Sequence, residues 1–348
     1  MERMKEAPVL AIVVPCYFEE EVLPSTAATL ETLLRTMIEA GEVSGESYVC
    51  YVNDGSTDAT WEIINGLMQK NSLHRGVNLS RNFGHQGAVL AGLFTAAADA
   101  YVSIDADLQD DEQKIRDMVR RYREGCDIVY GCRNSRETDS WFKRTTAQGF
   151  YKLRSWLGIR TIPDHADYRL MSARAVRELH RFGEVNLFLR GVIPMLGFPS
   201  DKVFYARKSR QLGESKYPLA KMLKLAWNGL VNFTDAPLRL IVLLGAAGFA
   251  ASLLVIAWCL WAWYSGLTVP GWASLLAVVS AFSSVQLLSI GIIGLYLSKV
   301  FWETKRRPLY VVQDDCTSGG ECHREPRNVS EIEEMSKQMS SSSHRGEC

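Results

Sequence analysis

The sequence predicts an α/β protein, with a mostly parallel sheet carrying helices on both faces, followed by two long apolar helices. Three observations point there. Short apolar strands alternate with helix-length stretches through the first part of the chain. Polar and acidic residues gather where those strands stop. Two runs near the C-terminus are almost free of charge.

Residues 9–14 read as a buried strand, and 48–52, 76–79, 101–104 and 127–130 read as four more. Helical patterning over 23–40, 60–70, 86–98 and 112–123 separates them. Strands joined by helices of this length form crossover units, and these make a parallel sheet. In such sheets a ligand occupies the crevice beyond the carboxyl ends of the strands.

The apolar runs cover 238–264, charged only at Arg239, and 272–298, with no charge. Each is long enough to cross a hydrocarbon layer of ~30 Å. The link between them is short, uncharged and contains Pro270, as in a tight helical hairpin. Trp258, Trp261, Trp263, Tyr264 and Trp272 cluster at its turn, where interfacial aromatics belong. Lys216, Lys221 and Lys224 precede the hairpin, and Lys299, Lys305, Arg306 and Arg307 follow it. Basic flanks around an uncharged turn predict an integral inner-membrane protein with its catalytic domain and both termini cytoplasmic. A pair of helices buried in a soluble core is the alternative. The expected organisation is a catalytic domain over 1–217 and a juxtamembrane segment over 218–235. Two membrane helices follow within 236–302 (about 238–264 and 272–300), then a disordered polar tail over 303–348. The juxtamembrane segment mixes Leu, Met, Trp and Phe with Lys221 and Lys224. It suits an amphipathic helix on the membrane surface or an ordinary packed helix.

Lys+Arg and Asp+Glu both number 39, so net charge gives no reason to expect nucleic acid as a partner. The eight cysteines contain no Cys-x-x-Cys pair, which predicts reduced thiols rather than a zinc site or a disulfide framework. Cys322-His323 lacks companions at ligand spacing. The first eight residues are charged, without the apolar core of a signal peptide.

The chemistry concentrates at three strand ends. Asp105-Ala106-Asp107-Leu108-Gln109 follows the fourth strand. Two carboxylates flanking one small residue can share a hard divalent cation with a diphosphate, and Gln109 adds a neutral oxygen. The competing reading is a solvated acidic turn that favours a helix start. The second strand ends in Asn53-Asp54-Gly55-Ser56-Thr57-Asp58, which suits a tight turn with Asp54 bonded to a base or ribose and Asp58 capping the next helix. The first ends in Pro15-Cys16-Tyr17-Phe18-Glu19, where Pro15 and Tyr17 can frame a flat base and Glu19 can accept hydrogen bonds from it.

These motifs resemble the family 2 glycosyltransferases of GT-A, Rossmann-like fold, and within them the polyprenyl-phosphate glycosyltransferases. That group includes dolichyl-phosphate mannose synthases and bactoprenol glucosyltransferases. The resemblance spans about residues 8–310. It includes Ser80-Arg81-Asn82-Phe83-Gly84-His85-Gln86, Gly131-Cys132-Arg133, Asp167-Tyr168-Arg169-Leu170 and Ser215-Lys216-Tyr217. The hairpin matches the bactoprenol branch, and Phe18 departs from the Asn common before the Glu. The resemblance implies a nucleotide-sugar donor held by Pro15, Tyr17, Glu19, Asp54, Asp105 and Ala106, with UDP-glucose first. It implies Mg2+ or Mn2+ on Asp107 and Gln109. It places Arg133 on the sugar or acceptor phosphate, and Arg210 and Lys216 over the phosphates. Asp167 is either catalytic or an ion-pair partner of Arg169. The implied acceptor is a polyprenyl phosphate in the membrane, and self-association stays open. A processive polysaccharide synthase is the nearest rival, but the Gln-x-x-Arg-Trp motif it usually carries is missing. A non-catalytic membrane scaffold is the other rival, and a P-loop kinase lacks its motif here.

Overall fold

The computed structural model describes residues 6–133, 165–184, 189–206, 236–265 and 272–317. It contains two compact units.

The first unit is built on one eight-stranded sheet. In chain order its elements are β1 (Leu10–Cys16), α1 (Leu23–Glu39), β2 (Tyr48–Asn53), α2 (Thr60–Lys70), β3 (His74–Leu79) and α3 (His85–Thr95). Then come β4 (Ala100–Ser103), α4 (Lys114–Arg123), β5 (Ile128–Arg133), β6 (His165–Ser172), α5 (Ala173–His180), α6 (Leu189–Met195) and β7 (Ser200–Tyr205). The strand order is β7-β5-β6-β4-β1-β2-β3-β8, with β8 (Val312–Cys316) at one edge. β1, β2, β3 and β4 run parallel, as do β5 and β7, while β6 and β8 are antiparallel to their neighbours.

Side-chain alternation along the strands sends Leu10, Ile12, Val14 and Cys16 into the core shared with Leu23, Leu30, Leu34 and Met37 of α1. α3 covers the opposite face at close range. A Cβ on Gly92 would lie 2.4 Å from Val13 and 2.8 Å from Val52, so the helix sits against the sheet only with glycine there. All five predicted strands form, each within a few residues of its expected bounds.

The C-terminal segment departs from expectation. Val312–Cys316 is not part of a disordered tail, because it pairs antiparallel with β3 and closes the sheet edge. Its sequence, VQDDC, looks unlike a strand, and local hydrogen bonds hold its acidic residues. Asp315, fully buried, accepts from the Thr317 N–H and hydroxyl, and Arg75 donates to the Thr317 carbonyl at 2.7 Å while lying over the Tyr48 ring. The expectation of reduced thiols also fails at Cys316, which is disulfide-bonded. Cys16, Cys50, Cys126 and Cys132 are free.

The described helices of the second unit are α7 (Ala236–Tyr264) and α8 (Trp272–Thr304), of 29 and 33 residues. They cover both predicted apolar runs, and the Phe282 ring of α8 lies beside Gly248 of α7. Trp258, Trp261, Leu287 and Leu297 are exposed on them, as suits a lipid-facing surface. Among the described residues, 285–304 is the one stretch long and apolar enough by composition to cross a membrane. Residues 207–235 lie outside the described residues, and with them Arg210, Lys216 and the whole juxtamembrane segment.

Candidate active site

Parallel β1, β2 and β4 all point their carboxyl ends at one rim. Cys16 and Asn53 finish side by side, and β4 stops level with Val13, so Asp105 follows within two residues. The loops that leave this rim form a cleft of about 430 Å³. Pro15, Tyr17, Glu19, Asp54, Asp105, Ala106 and Asp107 line it, together with Asn82, Gly84 and His85 from the β3–α3 loop. Every residue that the resemblance assigns to the nucleotide therefore meets in one place.

Asp54 is 2% exposed and serves the walls of the cleft as much as its interior. Its carboxylate accepts the N–H of Phe83 at 2.7 Å and of Gly84 at 3.0 Å. Burial raises its pKa, and those two N–H groups pull it back. Gly55, at φ +65°, makes this grip possible, since a Cβ there would lie 2.3 Å from the Arg81 carbonyl carbon. Asp58 accepts the Thr60 N–H at the start of α2, but the N-cap is Ala59 and no side chain caps it, so Asp58 stands one residue short of the expected capping position.

Asp105 and Asp107 follow β4 on a turn held from α1, where the Thr26 hydroxyl donates to the Ala106 carbonyl at 2.6 Å. Leu108 between Asp107 and Gln109 has φ 43°, a left-handed strain of the kind held at functional sites. Gln109 is buried, and its N–H donates to Asp107 Oδ1 at 3.2 Å.

Charge is crowded here. Burial raises the pKa of Glu19, and Asp107, Asp105 and Asp58 raise it further. Burial also raises Asp105, opposed by His85, whose Nε2 lies 3.6 Å from it. Among the described residues no lysine or arginine forms an ion pair with Glu19, Asp105 or Asp107. Nor are three or more metal-binding side chains already gathered as a cage among them. Hard oxygen donors facing an open cleft do fit magnesium or manganese, which completes its shell with phosphate and water.

Asp167 reaches the same rim from β6. Ser103 pairs with Arg169 in the antiparallel register, so continuing it two residues brings Asp167 opposite Asp105. His85 bridges them, 3.9 Å from Asp167. The ion pair of Asp167 with Arg169 forms, and Arg190 of α6 adds two more bonds at 3.2 and 2.9 Å. Burial pushes the Asp167 carboxyl up, but the Arg190 hydrogen bond and the charges of Arg169 and Arg190 prevail and hold it at about 2.

Arg133, expected on the sugar or acceptor phosphate, already has protein partners. It clasps Asp110, whose side chain is 2% exposed, at 2.9–3.3 Å, and donates to the Tyr205 hydroxyl at 3.4 Å. His85, Asn82 and Arg190 are the residues that sequence reasoning left without a role. His85 was visible as the polar residue opening a helix after a strand, whereas nothing around Arg190 in the sequence marks it.

The comparisons agree with this geometry. The family model described as "Glycosyl transferase family 2" matches residues 11–180. The "Uncharacterized glycosyltransferase YkoT" of Bacillus subtilis is 48% identical over 90% of this chain and 94% of its own. The "Bactoprenol glucosyl transferase" of Shigella phage SfV is 35% identical, over 88% of this chain and 98% of its own. A "Prophage bactoprenol glucosyl transferase homolog" of Escherichia coli is 34% identical, over 87% and 98%. With strand ends, acidic rim and near-full-length relatives in agreement, this chain belongs to the family 2 glycosyltransferases.

Proposed function

We propose that the protein transfers a hexose from a nucleotide-sugar, UDP-glucose first, to a polyprenyl phosphate such as undecaprenyl phosphate at the cytoplasmic membrane face. The observation that carries this is the acidic cleft at the ends of β1, β2 and β4, in a chain alignable along most of its length with proteins named as bactoprenol glucosyl transferases. The apolar, exposed faces of α7 and α8 support a membrane setting.

Pro15 and Tyr17 frame the base, Glu19 accepts hydrogen bonds from it, and Asp54 keeps the β3–α3 wall in place. Asp105 lies toward the ribose and sugar. Asp107, with Gln109 beside it, would hold Mg2+ or Mn2+, which when bound supplies Lewis-acid stabilisation of the leaving diphosphate. The attacking group needs no strong protein base, because a phosphate monoester has its second pKa near ~6 and is largely dianionic at neutral pH. Its oxygen bonds to the anomeric carbon as the bond to the nucleoside diphosphate breaks, and the centre inverts. Asp167 matches this role, since a carboxylate held at about 2 orients hydroxyls and is a weak proton acceptor. Arg210 and Lys216 are assigned to the phosphates by the resemblance.

The test is purified protein with undecaprenyl phosphate and a panel of nucleotide sugars, read as labelled lipid. One donor giving a lipid-phosphate-linked sugar is expected. Release of free sugar from every donor, with none on the lipid, contradicts it.

A further inference from the structure

We propose that the segment after the second apolar helix is part of the donor site, with Asp314 as a positioning residue. The proposal rests on the donor-site reading given above.

Asn78 of β3 stands opposite Asp314 of β8, next to an irregularity where Leu79 pairs with Val312, so Gln313 is the extra residue of a bulge. From there a line of hydrogen bonds runs under the strand ends. Asn78 Nδ2 donates to Asp314 Oδ2 at 3.0 Å, and Asn53 Nδ2 donates to Asn78 Oδ1 at 2.8 Å. The Ser56 N–H donates to Asn53 Oδ1 at 3.2 Å, and the Phe18 N–H donates to Ser56 Oγ at 3.2 Å. Asn53 and Asn78 are 2% and 7% exposed, so water competes poorly for these bonds.

The relay has a direction. An ionised Asp314 only accepts, and the Ser56 N–H only donates. Between them each amide has one orientation that satisfies both neighbours. The line ends on the two turns that present Tyr17 and Asp54 to the cleft. The same segment grips the third wall, since the Ser80 N–H donates to the Val311 carbonyl at 3.0 Å and Gly87 faces the Leu309 carbonyl. Without an acceptor at position 314, Asn78 is free to turn, Asn53 follows, and the Ser56 and Phe18 turns lose their anchor. Donor binding should weaken, while the step served by Asp105 and Asp107 is preserved.

The experiment uses the full chain in detergent and reads the Kd for UDP (with GDP in parallel), the donor KM and kcat, and amide exchange at Phe18 and Ser56. Loss of one buried hydrogen bond corresponds to about five- to tenfold in binding. Asp314→Ala should raise Kd and KM by that factor, with kcat within about twofold, and speed exchange at both amides. Asp314→Asn keeps an acceptor oxygen and should behave as the native chain. Asn78→Leu cuts the relay at its middle and should reproduce Asp314→Ala, which gives a second reading should either variant fold poorly. Equal binding by the Ala and Asn variants, or a loss confined to kcat, overturns the relay. If the native chain binds neither UDP nor GDP, the donor-site reading falls and the relay with it.

Discussion

The rim of the sheet divides into two regions that treat negative charge differently. On the β1/β2/β4 side, Glu19, Asp105 and Asp107 crowd one cleft, with His85 as the nearest basic group. On the β5/β6/β7 side, two carboxylates are held by arginines: Asp110 by Arg133, and Asp167 by Arg169 and Arg190. Asp107 is exposed and Glu19 and Asp105 are half-buried, whereas Asp110 and Asp167 are largely buried, so the two sides differ in burial as well as in partners. Crowded carboxylates without cations carry a cost that a divalent ion and a diphosphate can relieve. Paired carboxylates are already satisfied and hold shape. The contrast separates residues that await a ligand from residues that position the site.

The largest expected effect breaks the acidic side. Asp107→Ala should lower transfer by more than a hundredfold, on the scale of ~3 kcal/mol for a lost transition-state charge partner, with unchanged melting. A steady-state rate with and without added metal checks it, and near-native turnover in chelator would erase the distinction between the two sides.

Removing an arginine on the paired side should act on stability instead. Arg133→Ala strands the Asp110 carboxylate and should cost about 2 kcal/mol, reduced from a fully buried pair because Arg133 is 28% exposed. Denaturant unfolding measures it. A native melting curve with abolished transfer would instead put Arg133 on the substrate.

The pH dependence of the paired side is smaller and has a definite sign. Asp167 is held at about 2, below its ordinary 3.8, so its contribution is present above the ordinary value and lost as pH falls toward about 2. Melting followed over that window should fall more steeply for the native chain than for Asp167→Asn, by about 1–2 kcal/mol in total. Parallel curves would mean that the arginines leave Asp167 unshifted.

The smallest effect lies at the mouth of the cleft. Phe18 has φ 56°, a left-handed conformation that asparagine tolerates and bulky residues do not. Phe18→Asn, restoring the residue common in the family, should stabilise the fold by about 0.5 kcal/mol. Lower stability would show that the edge-on contact with Tyr17, with ring centres at 4.5 Å, outweighs the backbone strain.

Much of the acidic side was legible in the sequence. Its residues sit directly after apolar strands, and parallel strands bring such ends together without any long-range information. The paired side was harder to read. β6 carries Asp167 and Arg169 inside a buried strand, which breaks the apolar pattern of the strands read from sequence, and only the antiparallel register places Asp167 across from Asp105. The Asp110 partner of Arg133 was not foreseen, because Asp110 continues the acidic turn read as solvated, yet it is buried. β8 was hidden for the same reason, since Asp314 accepts from Asn78 and Asp315 from Thr317. Local pattern reports which residues stand at strand ends, but it does not report which charges have found partners.

The most direct test of the account is acceptor discrimination with one purified preparation. Undecaprenyl phosphate, undecaprenol and a soluble oligosaccharide are offered at equal concentration with the preferred nucleotide sugar and metal, and product is quantified by mass. The account predicts a sugar on undecaprenyl phosphate only, because the ionised phosphate supplies the nucleophile that the protein does not activate. Extension of the oligosaccharide, or glycosylation of undecaprenol, at a rate matching the lipid phosphate would contradict it.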